Sequence, residues 1–133
     1  KGYAFKKIKE AASGGEMSRI MLAIKSIMAK YKKLPSIIFD EIDTGVSGEI
    51  SKKMGFIMKD LGEKIQTFSI THLPQIAAMG ESHFKIYKSD VDGITKTMIS
   101  RLNENDRIIE IAKMLEGNNA SKSAYTHAKQ LLN

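Results

Sequence analysis

Two adjacent carboxylates, Asp40 and Glu41, directly follow the apolar run Ile37-Ile38-Phe39. Three large apolar residues in a row are typical of a short strand that is buried on both faces, as in a parallel sheet. Open α/β sheets bind ligands at the carboxyl ends of their strands, where successive side chains point to opposite faces. One carboxylate could therefore hold a metal ion while the other orients or deprotonates a water. A solvent-exposed strand end without function is the alternative that these residues alone leave open.

The segment Ser13-Gly14-Gly15-Glu16 stands at the start of a long stretch with helical periodicity. Ser13 and Glu16 have the spacing of a capping box, in which each side chain binds an otherwise unpaired backbone N–H. Such a cap does not require the two glycines. Their lack of side chains would let the N–H groups of a helix start approach an anion such as a phosphate. A simple glycine turn before the helix remains the alternative.

His72 follows a second strand-like run, Ile65–Ile70, just as Asp40 and Glu41 follow the first. The strand–helix–strand spacing predicts a right-handed crossover with parallel strands, which places both carboxyl ends at the same edge. An isolated histidine is more often structural, but this position favours a role for His72. His83 and His127 have no such context, and we expect them to be structural or surface residues.

Periodic apolar residues predict the elements that position these segments. One amphipathic helix should begin after Ser13 and end before Pro35, and a second should follow the loop that ends at Gly48. The inward face of the first is predicted to comprise Met17, Ile20, Met21, Ile24, Ile27, Met28 and Tyr31. The inward face of the second is predicted to comprise Ile50, Met54, Ile57, Met58 and Leu61.

The rest of the chain has a different pattern. Alternating residues on both sides of the turn 90–93 predict a β-hairpin. Two further helices should begin at Asn103 and near Ser121. Tyr3, Phe5 and Ile8 suggest a short strand or a lead-in segment. Since there is no internal repeat or linker, residues 1–133 are predicted to form one unit.

Composition restricts the classes of protein. The 133 residues contain no cysteine, which excludes disulfides and thiolate metal sites. No apolar run approaches the roughly 20 residues that span a bilayer, and residues 1–7 lack an apolar segment long enough for a secretory signal. The net charge of +6 suits a polyanionic partner, although the lysines are dispersed and few aromatic residues lie among them.

In their order and spacing, the three segments resemble the C-terminal half of ABC-type ATPase heads from SMC-like chromosome and repair proteins. Residues 13–16 resemble the ABC signature motif, and residues 37–41 resemble a Walker B strand with its catalytic glutamate. Residues 42–45 are similar to the D-loop, and His72 matches the switch histidine.

Longer runs narrow the resemblance to the RecN family of bacterial DNA-repair proteins. They comprise residues 12–25, 39–48, 71–78 and 110–115, and the resemblance extends from about residue 11 to residue 132. Ala12 departs from the leucine that usually begins the ABC signature motif. No G-x-x-x-x-G-K-[ST] phosphate-binding loop is present in the sequence. We therefore expect a C-terminal fragment, with that loop on an N-terminal lobe beyond a coiled coil.

The resemblance implies an α/β fold, namely the C-terminal lobe of an ABC-type ATPase head. Short parallel strands flanked by helices would be followed by a β-hairpin and C-terminal helices. It also implies the site. Asp40 would help to hold Mg²⁺, Glu41 would polarise the attacking water, and His72 would contact the γ-phosphate or that water. Residues 13–16 would bind the nucleotide of a partner head, and Asp43, in the D-loop, would lie near the dimer seam and link the two nucleotide sites.

The implied function is recombinational repair of DNA double-strand breaks in the bacterial cytoplasm, at the nucleoid. Two heads would close head to tail around two ATP molecules, and closure would be coupled to DNA binding or bridging. The implied partners are DNA, a second head and the chain's own N-terminal lobe, and no membrane. The rival interpretation is a DNA-clamping module of another SMC-like protein in which hydrolysis is incidental. An α/β fragment with coincidental motifs is a third.

Overall fold

The computed structural model describes residues 12–91 and 93–133. The elements are α1 (Gly14–Lys32), β1 (Ser36–Asp40), α2 (Gly48–Gly62), β2 (Gln66–Ile70), α3 (Pro74–Ala77), β3 (Phe84–Val91), β4 (Ile94–Arg101), α4 (Glu104–Glu116) and α5 (Lys122–Leu132). They form two compact units, of which the first ends at Ile76 and the second runs from Ala77 to Asn133. That residues 1–133 form one lobe stays a prediction. The segment suggested around Tyr3, Phe5 and Ile8 lies outside the described residues, as does Asp92 of the hairpin turn.

β1 and β2 pair in parallel, with Ser36 opposite Gln66 and Asp40 opposite Ile70. The prediction that both strands end at the same edge is therefore confirmed. Phe39 is fully buried, whereas the neighbouring Ile38 is 58% exposed. The prediction that β1 is buried on both faces is thus wrong within the described residues. They cover only one face of this two-stranded sheet, so the side chain between the buried ones faces outward.

The first unit has one apolar core to which α1, β1 and α2 all contribute. Its buried members are Leu22, Ala29, Ile37, Phe39, Ile42, Val46, Met54, Met58, Leu61 and Ile76. In α2, Met54, Met58 and Leu61 are buried as predicted, but Ile50 and Ile57 are exposed. The loops that follow β1 and β2, which carry the candidate site residues, therefore begin at a sheet whose inner face packs on this core.

α1 confirms the predicted helix, but the predicted inward face is wrong. Its buried residues are Gly15, Ser18, Leu22 and Ala29. The stripe of isoleucine and methionine is largely exposed, and Tyr31 at its end is 85% exposed. Small residues at the start of the helix let its backbone approach the loop after β1 more closely than the bulky stripe could.

The start of α1 lies directly against the loop that follows β1. A Cβ atom on Gly15 would lie 2.4 Å from the carbonyl oxygen of Gly45, and one on Gly45 would lie 2.9 Å from the amide nitrogen of Gly15. Gly45 also has a left-handed φ of 77°, which favours glycine. Beside this contact, the Ser18 hydroxyl donates to the Thr44 carbonyl at 2.8 Å. The helix start and the loop are thus joined backbone to backbone.

The capping box at the start of α1 is confirmed. The Glu16 amide donates to the Ser13 hydroxyl oxygen at 3.4 Å, and the Ser13 amide donates to the Glu16 carboxylate at 2.8 Å. The backbone N–H of Ser13, and then its hydroxyl, hold the pKa of Glu16 below its ordinary value of 4.5. A negative charge therefore remains at this helix terminus at neutral pH.

The second unit combines a β-hairpin with two helices. β3 and β4 pair antiparallel, as predicted. Asn103 caps α4 by accepting from the Asp106 amide, and Ser121 caps α5 by accepting from the Ala124 amide. The core of this unit includes Ile111, which is fully buried. Across residues 12–91 and 93–133, no helix is both long and apolar enough to cross a bilayer.

We expect Gly15→Ala to lower the free energy of unfolding by about 1–3 kcal/mol, because the added methyl group would overlap the Gly45 carbonyl. Gly14→Ala is the matched control, since a Cβ atom on Gly14 meets nothing within 4 Å. Alanine is also the better helix residue, so this control should be neutral or slightly stabilising. Urea unfolding of both variants measures the difference. Equal loss of stability in the two variants would contradict the backbone contact.

The carboxylate of Glu16 should titrate with a midpoint below 4.5 in an NMR titration of its carboxyl carbon. A lowered folded-state pKa means that this bond stabilises the fold above the unfolded-state value, and that the stabilisation is lost as the pH falls through the folded-state pKa. Ser13→Ala should raise the pKa only partly, because the backbone N–H remains. Ser47→Ala is the control, since the Ser47 side chain makes no capping bond in α2. A midpoint of 4.5 or higher in the unmodified chain would contradict this geometry.

Candidate active site

The ends of β1 and β2 bring two of the predicted segments together. Pairing continues past the regular strands, because the Glu41 amide donates to the Ile70 carbonyl at 3.0 Å. Asp40 and Glu41 therefore leave the sheet beside the chain that leads into His72. The side chains of Asp40, Glu41 and His72 are all exposed. This edge thus presents two carboxylates and an imidazole to solvent from adjacent strands.

Glu41 has a strained backbone. Its φ is 45°, in the left-handed region that residues other than glycine rarely adopt. A tight turn holds it there, since both the amide and the hydroxyl of Thr44 donate to the Glu41 carbonyl, at 3.2 and 2.9 Å. This conformation costs about 1–2 kcal/mol. Strain of this kind persists where the surroundings enforce it, and it is concentrated at functional sites.

Asp40 provides an exposed carboxylate at the end of β1 that could hold a cation. In the part of the chain that the structure describes, no three His, Cys, Asp or Glu side chains cluster as a metal cage. Mg²⁺ often binds through one or two carboxylates together with waters and substrate phosphates. The donor set at this edge therefore fits a magnesium ion whose other ligands come from a nucleotide and water.

Asp43 differs from its neighbours because it is buried, with 1% of its surface exposed. Its Oδ2 atom accepts a hydrogen bond from the Thr71 hydroxyl. Its Oδ1 atom is buried and has no partner among the described residues. The structure thus places this side chain beneath the edge of its own unit, in contact with the residue before His72. A position near a dimer seam stays a prediction.

The segment 13–16 joins this edge through the loop after β1. Ser13, Gly14 and Glu16 are exposed, whereas Gly15 is buried against Gly45. The first amides of a helix have no acceptor within the helix, and they lie at the positive end of its dipole. Gly14 therefore leaves the helix start open to an anion, while Gly15 anchors it. Binding of a nucleotide by these residues stays a prediction.

Sequence reasoning missed the residues that connect the loops. Thr71 links the segment that carries His72 to Asp43, and Ser18 links α1 to Thr44. A hydroxyl residue directly before His72 was visible in the sequence, but its long-range partner was not, because periodicity describes only local structure. The other histidines lie in the second unit. His83 is half-buried, and burial, followed by the charge of Arg107, lowers its pKa.

Similar sequences have been described as the DNA repair protein RecN. The chain is 42% identical to that protein from Xylella fastidiosa (strain 9a5c) over 125 residues, which are 94% of this chain and 22% of the relative. It is 42% identical to RecN from Bacillus subtilis (strain 168) over 131 residues, which are 98% of this chain and 23% of the relative. For Rickettsia conorii (strain Malish 7) the identity is 43%, over 98% of this chain and 24% of the relative. The chain thus spans less than a quarter of the length of these relatives. No protein-family model matches the chain.

Solved structures of SMC ATPase heads are similar in fold. One comes from work on the ATP-driven dimerisation and DNA-stimulated activation of SMC ATPases. It matches with a TM-score of 0.58 and 29% identity over 82% of this chain and 66% of that chain. Another is an SMC head bound to the C-winged helix domain of ScpA, with a TM-score of 0.59 and 29% identity over 75% of this chain and 30% of that chain. Sequence and fold together confirm the resemblance that the motifs indicate: this chain is similar to the C-terminal part of RecN proteins and has the fold of an SMC-type ATPase head.

Proposed function

We propose that this chain is the C-terminal lobe of a RecN-like ATPase head that acts in recombinational repair of DNA double-strand breaks. The observation that carries the proposal is the parallel pairing of β1 and β2 beyond Asp40. It sets Asp40 and Glu41 beside His72 at one edge, as the proposed roles of Walker B carboxylates and switch histidine require. Identity of about 40% to RecN proteins over nearly the whole chain supports the specific family.

Hydrolysis at this edge would depend mainly on positioning, because phosphoryl transfer needs orientation and charge stabilisation more than covalent chemistry. Glu41, held in its strained turn, would orient and polarise the attacking water. His72 would donate to the γ-phosphate, or would exchange a hydrogen bond with that water. Asp40 would hold Mg²⁺ directly or through a water. When bound, the ion would supply positive charge that neutralises the phosphates.

The start of α1 would act on a different nucleotide, the one held by a partner head. Its free amides and its positive dipole end suit a γ-phosphate, and Gly14 leaves room for one. The Gly15–Gly45 contact would keep the start of α1 at a fixed position relative to the loop that follows β1. Two copies would therefore complete each other's sites in a head-to-tail dimer.

Two features support a head that is completed by residues outside these 133. The sequence has no phosphate-binding loop of the Walker A type, so that loop would belong to an N-terminal lobe. The outward face of the sheet is also apolar, with Ile38, Phe68 and Ile70 each about half exposed. Apolar surface of this kind is typical of a docking site, and the missing lobe would cover it.

DNA would bind to the full-length protein, consistent with the net charge of +6 on this part. ATP-driven dimerisation of heads would be coupled to DNA binding or bridging. We place this activity in the bacterial cytoplasm, at the nucleoid. The relatives are described in terms of DNA repair and of ATP-driven dimerisation, and both agree with this assignment.

Glu41→Gln in the full-length protein should lower the kcat for ATP hydrolysis by about 10²–10⁴-fold, the usual contribution of a positioned acid–base group. The substitution keeps the shape of the side chain and removes its negative charge, so ATP binding should persist. Glu49→Gln is the matched control, because Glu49 is an exposed glutamate on α2 that pairs with Lys53 of the same helix. Steady-state turnover and nucleotide binding are the measurements. Undiminished turnover in Glu41→Gln would contradict the assigned role.

The same variant separates this proposal from the DNA-clamping alternative. If the ATPase cycle drives repair, Glu41→Gln should abolish repair of double-strand breaks in cells while DNA bridging by the purified protein persists. If hydrolysis is incidental to clamping, repair should survive the loss of turnover.

The isolated 133-residue chain should not hydrolyse ATP, because it lacks the loop that cradles the phosphates. Turnover should be measured with Mg²⁺ present, after circular dichroism has shown that the chain is folded. Glu41→Gln in the same isolated chain is the control for contaminating ATPases. A Mg²⁺-dependent turnover that this substitution abolishes would contradict the requirement for an N-terminal lobe.

A further inference from the structure

Thr71, the residue before His72, makes two hydrogen bonds with its hydroxyl group. Its hydroxyl donates to the Oδ2 atom of Asp43, and its hydroxyl oxygen accepts from the Leu73 amide at 2.9 Å. The residues immediately before and after His72 are therefore tied to each other and to a buried carboxylate. This arrangement restricts the backbone that carries the exposed imidazole.

The position of Asp43 is costly for stability. Only 1% of its surface is exposed, and one of its two carboxylate oxygens finds no donor among the described residues. A buried charged group with incomplete hydrogen bonding destabilises a fold, and an apolar residue of similar shape is often at least as stable. Stability therefore does not explain a carboxylate at this position.

The location of Asp43 suggests what it does instead. Asp43 lies two residues after Glu41, in the loop that also contains Gly45. The Val46 amide donates to the Asp43 carbonyl at 3.2 Å and holds that loop closed. We call residues 41–46, after β1, the carboxylate loop and residues 71–73, after β2, the histidine loop. Within residues 12–91 and 93–133, the Asp43–Thr71 bond is the one side-chain hydrogen bond between these two loops.

We propose that Asp43 is a positioning residue that sets His72 relative to Glu41 by clamping Thr71. This inference rests on the proposed ATPase function, because it concerns the same edge. Asp43 would not touch the nucleotide. It would act through the Thr71 hydroxyl, and loss of the clamp would let the histidine loop move while substrate binding stays intact.

The main test removes the hydroxyl in the full-length protein. Thr71→Val keeps the side chain's shape, and we expect kcat for ATP to fall about 10–100-fold, because small displacements of a catalytic group cost that much. The KM for ATP should change by less than about twofold. Thr71→Ser restores a hydroxyl and should recover most of the turnover. Thr67→Val is the matched control on β2, the strand that leads to Thr71, since among the described residues the Thr67 hydroxyl bonds to the nearby Ile65 carbonyl alone.

A second variant keeps the test decisive if Thr71→Val unfolds, since that change leaves the buried Asp43 carboxylate without a hydrogen-bond partner among the described residues. Asp43→Leu combined with Thr71→Val removes both polar groups, which restores stability when the replacements have similar shapes. We expect this double variant to be at least as stable as Thr71→Val, with turnover equally low. Wild-type turnover in the folded double variant would overturn the proposal, as would failure of Thr71→Ser to recover activity lost in Thr71→Val.

His72→Ala and Glu41→Gln distinguish this inference from the function on which it rests. If both leave ATP turnover of the full-length protein unchanged, the proposed function is wrong and the inference falls with it. If both reduce turnover and folded Thr71→Val does not, the ATPase assignment stands and only the clamp is wrong.

Discussion

The candidate site depends on one backbone hydrogen bond beyond the regular strands, from the Glu41 amide to the Ile70 carbonyl. It extends parallel pairing past Asp40, so the two chains leave the sheet side by side. Because backbone atoms make this bond, the carboxylates and His72 share an edge whatever rotamers their side chains adopt. The chain must then turn sharply, and Glu41 adopts a left-handed conformation to do so. Pairing and strain at this point are consequences of the same geometry.

A second backbone contact attaches α1 to that edge. Gly15 and Gly45 approach so closely that a Cβ atom on either one would collide with the backbone of the other. The adjacent glycines of this segment therefore have different physical roles: Gly15 allows close packing, and Gly14 leaves the helix start uncovered. The start of α1 and the loop that contains Asp43 are therefore in direct backbone contact, and a displacement of either one would strain the other.

Local features of the fold were predictable from the sequence because local interactions produce them. The capping box of Ser13 and Glu16, the parallel strand ends and the hairpin each follow from the types and spacing of neighbouring residues. The inward face of α1 was not predictable in this way. Periodicity shows that an apolar stripe exists, but it does not show whether this unit or another segment covers it. The exposure of Ile38 was not predictable for the same reason. The strain at Glu41 and the contact between Gly15 and Gly45 arise from tertiary packing, which no local pattern describes.

The environment of Asp43 shows how stability and function are balanced at this edge. A fold selected only for stability would place an apolar residue at this buried position, because a carboxylate with one unpaired oxygen loses hydration without full compensation. Glu41 nearby shows the same tendency, since glycine would adopt its backbone conformation with less strain. Two unfavourable choices within three residues agree with the proposed role of this loop in placing chemical groups. The packed core beneath it, with Phe39 fully buried, supplies the stability that lets this loop remain strained.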